Sequence, residues 1–251
     1  MRSCAFSSDG LHARLAGREW RLIEEGPAPG AWNMAVDDAL LEAARRDEAP
    51  PTLRLYGWSR ATLSLGRHQD PCAGIDHGFR HRRGIDLVRR PTGGRAVLHD
   101  REITYSLVLP ASLGRGAGVG EVYRVLSGAL LSGLNAASCF AAAAAGDGLL
   151  EAGKLVGSAQ ARRAGAVLQH GSVLLEVRRG DWVGLFGVPG LEVALADLMG
   201  AAPGEDAVRT ALRRALERSL AAELLPGRLT RAEQSGAERL AAERYGVGCL
   251  D

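Results

Sequence analysis

The chain has 251 residues, of which 46% are hydrophobic and 24% charged, a composition typical of a globular protein with one sizeable core. Its formal net charge of +2 is too small to indicate a nucleic-acid partner. The cysteines Cys4, Cys72, Cys139 and Cys249 lie far apart and without metal-ligand spacing. We therefore expect no disulfide framework, no metal site and free thiols in a reducing cytoplasm.

Two segments decide whether the chain is expected to meet a membrane. Residues 1–18 contain no apolar run of the kind that a signal peptide needs, so we interpret them as a flexible leader. Residues 125–146 carry no charge and are long enough to span a bilayer, but alanine, serine and glycine dominate them. We expect a cytoplasmic protein without a membrane span.

Two helices and seven strands are predicted before residue 181. Apolar residues three to four positions apart predict helices over 33–46 and 121–134, and Asp37 and Asp38 are expected near the N-terminal end of the first. Runs of alternating apolar residues between turns predict strands over 53–58, 61–66, 86–90, 96–99, 103–109, 154–160 and 166–177. The expected fold is α/β (α+β), with a mixed central β-sheet flanked by helices.

The sequence changes character after Asp181. Glycine and proline punctuate a linker up to Gly204, and the residues that follow favour helix strongly. Thr230 and Glu233 have capping-box spacing, and Gly246 is a plausible helix end. The prediction is a main domain over 19–200 and a C-terminal extension over 201–251 that consists of two packed helices.

Residues 89–100 read Arg-Arg-Pro-Thr-Gly-Gly-Arg-Ala-Val-Leu-His-Asp and place two glycines between basic residues and a short apolar strand. Because glycine has no Cβ, the backbone at Gly93 and Gly94 can approach a ligand closely. Taken alone, such a pair is more often an ordinary turn. His99 fits either a pocket residue or a core histidine with its hydrogen bonds satisfied.

A second motif follows, with Gly-Lys-Leu-Val-Gly-Ser-Ala-Gln-Ala-Arg at 153–162 and Leu-Gln-His-Gly-Ser at 168–172. The small residues beside His170 indicate crowding against a ligand or against backbone. A basic run at 80–83 has no aromatic residues among it; it fits either a contact for an acidic protein or a solvated turn.

The two motifs resemble the lipoate-protein ligase and octanoyltransferase family, and most closely its cysteine-dependent octanoyltransferase branch. The resemblance extends upstream through residues 32–37 and 51–58, so that it covers residues 20–178. It implies a catalytic domain of the biotin/lipoate protein ligase type over 19–200, acting as a monomer without a cofactor. The implied donor is an octanoyl-acyl carrier protein, and the implied acceptor is a lysine of a lipoyl domain or of the glycine-cleavage H protein.

By the same resemblance, Cys139 is the nucleophile that accepts the acyl group, and Lys154, fifteen residues later, is its catalytic partner. An ammonium lowers the pKa of a nearby thiol and stabilises an oxyanion. Without the resemblance, the two would be interpreted as a small buried residue and a solvated lysine. The implied substrate-binding residues are Arg90, Thr92, Gly93, Gly94, Arg95, His99, Gly157, Ser158, Ala159 and His170.

One segment departs from the family pattern. Where the family usually has an aspartate and a Pro-Ser-Trp-Tyr-like stretch after the cysteine, this chain has five alanines at 141–145. Three alternatives to the transferase stay open: a lipoate-protein ligase that requires ATP and Mg²⁺, an octanoyl amidotransferase between lipoyl domains, and a non-catalytic paralogue that binds an acyl group or its carrier. The Cys139–Lys154 spacing, Arg95 at the position of the ligases' third glycine, and the short helical C-terminal region favour the transferase.

Overall fold

A computed structural model describes residues 10–138, 148–150, 153–190 and 192–245. Its helices are α1 (Leu11–Leu15), α2 (Gly30–Arg45), α3 (His77–Arg82), α4 (Ala111–Gly114), α5 (Val119–Ser138), α6 (Arg179–Phe186), α7 (Leu195–Met199), α8 (Glu205–Leu220) and α9 (Arg231–Glu243). Its strands are β1 (Glu19–Ala28), β2 (Thr52–Trp58), β3 (Thr62–Leu65), β4 (Asp86–Arg89), β5 (Val97–His99), β6 (Glu102–Leu109), β7 (Gly148–Leu150), β8 (Gly153–Arg163), β9 (Ala166–Leu174) and β10 (Glu223–Pro226). Across the described residues, none of the helices is both long and apolar enough to cross a bilayer.

The strands form two sheets. The main sheet has the order β10-β1-β2-β6-β9-β8-β7, and a smaller sheet has the order β4-β3-β5. Strand β1 runs parallel to β10 and β2, whereas β2, β6, β9, β8 and β7 pair antiparallel in succession. The prediction of a mixed central sheet flanked by helices is confirmed.

The two faces of the main sheet differ in chemistry. One face is apolar and packs on α5 and α8, with Leu53 and Leu107 among its buried residues. The other face lies under α2 and carries polar side chains in register, because Arg54 pairs across the sheet with Ser106, and Ser106 with His170. Side chains alternate between the faces of a strand, so every second residue of these strands faces α2.

Residues 10–18 correct the prediction of a flexible leader over 1–18. Helix α1 lies in this segment, and both Leu11 and Leu15 are fully buried in the core under the apolar face. The imidazole Nε2 of His12 also lies 2.9 Å from the carbonyl oxygen of Ser219 at the end of α8. The second half of the predicted leader is therefore part of the packed structure, and residues 1–9 lie outside the described residues.

The C-terminal region contains the two predicted helices and, between them, a strand that the sequence did not predict. Helix α8 packs on α5 and helix α9 on α2, while β10 extends the main sheet beside β1. The capping box at Thr230 is confirmed, because its hydroxyl accepts from the Glu233 amide at 3.2 Å and the Glu233 carboxylate accepts from the Thr230 amide at 2.7 Å. The predicted linker contains α7 and all but the start of α6. The domain boundaries at 19, 200 and 201 stay a prediction.

Candidate active site

A cleft of about 1060 Å³ opens between the polar face of the main sheet and the small sheet. Its walls come from the segment after β4, from β5 and the turn into β6, from β8 and β9, and from α6. It brings together most of the residues implied as substrate-binding, namely Arg90, Gly93, Gly94, Arg95, His99, Gly157, Ser158, Ala159 and His170. Thr92 is fully buried and does not line the cleft.

Arg90 holds the segment 90–96, which we call the glycine loop. Its guanidinium donates to the carbonyl oxygens of Ser64, Gly93 and Arg95 at 3.0, 2.7 and 2.7 Å. Burial lowers the pKa of Arg90 to about 10. Because its donors point at backbone, Arg90 fixes the shape of the loop.

The two loop glycines have different reasons to be glycine. Gly94 has φ +97°, and a Cβ there would lie 2.8 Å from Nη2 of Arg90. Its carbonyl oxygen also abuts Gly66, where an added Cβ would lie 1.9 Å away. A Cβ at Gly93 would meet no heavy atom within 4 Å among the described residues. Glycine is therefore required at position 94 by the backbone conformation and the close contacts, whereas glycine at position 93 leaves the cleft open.

His170 belongs to a buried network that begins on α2. Its Nδ1 lies 2.9 Å from Oδ2 of Asp37, and its Nε2 lies 2.7 Å from the hydroxyl of Thr92. Asp37 also accepts from Arg54 and Ser106, each at 2.7 Å. Burial raises the pKa of Asp37, but the hydrogen bond from His170 and the charge of Arg54 bring it below its ordinary value. Burial lowers the pKa of His170, against the pull of Asp37.

His99 belongs to a second buried network on the other side of the cleft. Its ring stacks on Trp58 with centroids 4.0 Å apart and an interplanar angle of 12°. Its Nδ1 lies 2.8 Å from Oε1 of Glu102, and its Nε2 lies 2.8 Å from the hydroxyl of Ser64. Burial raises the pKa of Glu102, but its electrostatic interaction with His99 and the hydrogen bonds from His99, Ser172 and Thr104 bring it below its ordinary value. His99 thus lines the cleft and is also a histidine with satisfied hydrogen bonds.

Residues 29–189 match the lipoyl protein ligase A/B catalytic domain. The chain belongs to this family. Among its curated relatives, the octanoyltransferase LipM of Kyrpidia tusciae is 40% identical, over 89% of this chain and 95% of that protein. The octanoyltransferase LipM of Bacillus subtilis is 33% identical, over 90% of this chain and 95% of that protein.

Two structures have the same fold as this family member. A bipartite lipoate protein ligase from Thermoplasma acidophilum, described with its E2 lipoyl domain, superposes with a TM-score of 0.81 at 23% identity, over 93% of this chain and 95% of that one. A lipoate-protein ligase A bound with ATP gives a TM-score of 0.78 at 24% identity, over 90% and 95%. At such identities the likeness shows the fold, which confirms the expected biotin/lipoate ligase type.

The proposed catalytic pair of the family is only partly covered by the structure. Cys139 lies outside the described residues. Lys154 lies in β8, where its backbone pairs with Leu149 of β7. The same strand continues to Gly157, Ser158 and Ala159 at the cleft. The roles of Cys139 and Lys154 therefore stay predictions.

The basic run at 80–83 is not a solvated turn. It lies largely in α3, where the buried Arg80 donates to the carbonyl oxygen of Ile85 at 2.9 Å. Arg83 forms an ion pair with Asp181 at 2.7 Å. Two of its arginines thus have partners within the fold, but residues 81–83 are exposed, so a contact with an acidic protein stays a prediction.

The sequence did not identify the acidic residues behind the histidines. Asp37 and Asp38 lie in the middle of α2 and are fully buried, not at its N-terminal end as expected. Asp38 forms ion pairs with Arg163 and with Arg244, which connects α2 to β8 and to the end of α9. The sequence of β6 does contain a pattern that indicates a polar sheet face, because Glu102, Thr104 and Ser106 place a polar residue at every second position.

Proposed function

We propose that this chain is an octanoyltransferase of protein lipoylation, which takes octanoyl from an acyl carrier protein and transfers it to a lysine of a lipoyl domain or of the glycine-cleavage H protein in the cytoplasm. The observation that carries the proposal is the similarity to octanoyltransferases, which extends over about nine-tenths of this chain and nearly all of theirs. The cleft beside the glycine loop supports the proposal, because its volume of about 1060 Å³ is large enough to hold an octanoyl group.

The chemistry is two acyl transfers through a thioester on Cys139. The Cys139 thiolate attacks the donor thioester carbonyl, the carrier's thiolate leaves and takes up a proton, and octanoyl remains on the enzyme. The amine of the acceptor lysine then attacks this thioester and loses a proton, which releases the amide product and regenerates Cys139. Lys154 has the charge to stabilise the oxyanion of each step and to exchange the proton.

The cleft has an apolar wall that can pack against an acyl chain and arginines that can contact a negatively charged donor. Its apolar wall includes Trp182 and Phe186, whose ring centroids lie 4.5 Å apart, and each methylene buried there contributes about 0.8 kcal/mol. Two arginines at the cleft, Arg101 and Arg178, form ion pairs with neighbouring carboxylates. Arg95 is exposed at the cleft and has no ion-pair partner among the described residues, so we propose that it contacts the acidic carrier or its phosphate.

The energy source distinguishes this function from its alternatives. A thioester donor already supplies the driving force, whereas a ligase must first activate a free acid with ATP. We expect octanoyl-acyl carrier protein to modify a lipoyl-domain acceptor without ATP or Mg²⁺, as measured by intact mass. Modification only with free octanoate or lipoate, ATP and Mg²⁺ would establish a ligase, and modification only from an octanoylated lipoyl domain would establish an amidotransferase. Carrier binding without transfer would establish a non-catalytic paralogue.

Substituting Gly93 tests where the acyl chain lies. Gly93→Val is expected to reduce acyl loading about tenfold or more with little change in melting temperature, because a Cβ at Gly93 has no heavy atom of the described residues within 4 Å and the added side chain occupies space at the cleft. Gly94→Val is the matched control and is expected to lower the melting temperature, since it is strained at φ +97° and contacts Arg90. Loading rates and thermal unfolding check both variants. Unchanged loading in Gly93→Val would place the acyl chain elsewhere.

A further inference from the structure

The glycine loop is anchored from inside the protein by two networks of the same chemical composition. Each consists of a buried carboxylate, a histidine and a hydroxyl, in that order. We call each ordered set of hydrogen bonds a relay. The first relay is Asp37–His170–Thr92, and the second is Glu102–His99–Ser64. All six residues are buried.

The first relay ends on the loop itself. Asp37 on α2 holds Nδ1 of His170 at 2.9 Å, and Nε2 of His170 lies 2.7 Å from the hydroxyl of Thr92, the residue before Gly93. A carboxylate accepts only, so Nδ1 carries a proton; burial lowers the pKa of His170 and favours the neutral ring, in which Nε2 accepts from the Thr92 hydroxyl. One hydroxyl thereby connects the loop to the centre of the main sheet.

The second relay ends on Arg90, the side chain that shapes the loop. Glu102 holds Nδ1 of His99 at 2.8 Å, and the Ser64 hydroxyl lies 2.8 Å from Nε2. In the neutral ring with its proton on Nδ1, Nε2 accepts from this hydroxyl. The same hydroxyl accepts from Nη1 of Arg90 at 3.2 Å, and the Ser64 carbonyl oxygen accepts from it at 3.0 Å. This relay therefore acts on the loop through the guanidinium.

The burial of both hydroxyls separates positioning from proton transfer. Each nitrogen of His99 and of His170 already has a partner within the protein. A histidine in such an array acts as a general base only when its hydroxyl partner faces the substrate, as in a catalytic triad. Here Thr92 is buried and does not line the cleft, and the fully buried Ser64 hydroxyl accepts from Arg90. In this arrangement, each imidazole transmits the position of its carboxylate to a hydroxyl.

We propose that Asp37 and Glu102 are positioning residues for acyl transfer, which act through His170 and His99 to hold the glycine loop in place at the cleft. The proposal rests on the octanoyltransferase function for its kinetic effect and on the loop geometry alone for its structural effect. A displacement of a reacting group by about 1 Å lowers the reaction rate by about 100-fold. A loosened glycine loop is therefore expected to slow acylation even with the catalytic cysteine intact.

The cleanest test removes one hydroxyl. Thr92→Val keeps the shape of the side chain but cannot donate to His170, and Thr92→Ser restores the donor. Thr62→Val is the matched control, because Thr62 and Thr92 are each 1% exposed and Thr62 does not line the cleft. We expect Thr92→Val to slow single-turnover acylation at saturating donor by about 10- to 100-fold, with Thr92→Ser and Thr62→Val close to the wild type.

A double-mutant cycle tests the order of the relay. Asp37 and Thr92 act in series, so Asp37→Asn combined with Thr92→Val is expected to be no slower than the slower single variant. Ser64 lies in the second relay, which acts independently of the first, so adding Ser64→Ala is expected to slow the Thr92→Val enzyme further. Independent, multiplicative effects of Asp37→Asn and Thr92→Val would overturn the series order.

Hydrogen exchange measures the stability of the glycine loop without requiring any acyl transfer. We expect Thr92→Val to increase amide exchange in peptides covering residues 90–96 and to leave peptides from β1 unchanged. If the wild type does not become acylated, the octanoyltransferase function fails, and the exchange of the glycine loop still decides the inference. Wild-type exchange of the loop, or wild-type acylation by an active Thr92→Val enzyme, would overturn it.

Discussion

The Cys139→Ser enzyme is expected to form no octanoyl adduct and to lose nearly all transfer from octanoyl-acyl carrier protein. A thiolate is the reactive form of cysteine near neutral pH, whereas the serine hydroxyl in its place has no assigned base to activate it. Intact mass after incubation with the donor measures the adduct, and mass analysis of the lipoyl domain measures transfer.

A second cysteine variant controls for general effects of losing a thiol. Cys72 is exposed in the segment between β3 and α3, so Cys72→Ser is expected to keep both the adduct and the transfer. An octanoyl adduct that persists in the Cys139→Ser enzyme but disappears in the Cys72→Ser enzyme would move the nucleophile to Cys72. Equal transfer by the Cys139→Ser enzyme and the wild type would remove the covalent mechanism.

The strands and helices with strong periodicity were predictable, and those defined by tertiary pairing were not. The helix predicted over 33–46 is α2, and the strand predicted over 103–109 is β6 with one more residue at its start. Strand β1 was missed because it contains Gly26 and Pro27, where its register with β2 shifts. Strand β10 was missed because only pairing with β1 makes four mostly exposed residues a strand.

The cleft was predictable from its motifs, but the networks behind it were not. The glycine loop and the segment around His170 carry recognisable sequence patterns, and the structure places both at one cleft. Asp37 lies 133 residues before His170 in the chain, and its position among apolar residues of α2 gave no sign of a partner. The Asp37–His170 contact is set by the packing of α2 on β9, which brings together residues far apart in the chain and leaves no local pattern in the sequence.

Replacement of Arg54 is expected to be the most destabilising substitution in this network. Arg54 is fully buried and forms ion pairs with Asp37 at 2.7 Å and with Glu25 at 2.6 Å. Arg54→Met leaves the buried carboxylate of Asp37 without its cation, which costs about 3–5 kcal/mol in the free energy of unfolding. Urea unfolding of the variant and the wild type measures this difference.

Two further variants distinguish the buried ion pair from charge removal in general. Arg45→Met removes an arginine whose pair with Glu42 has side chains 41% and 34% exposed, and is expected to leave the urea midpoint of unfolding close to that of the wild type. Arg54→Lys keeps a charge but is expected to recover only part of the loss, because one ammonium cannot reproduce the guanidinium's bonds to Asp37, to Glu25 and to the Asn33 carbonyl oxygen at 3.1 Å. If Arg54→Met and Arg45→Met unfold at the same urea concentration, Asp37 is held by His170, Tyr56 and Ser106 alone, and the network does not depend on its buried cation.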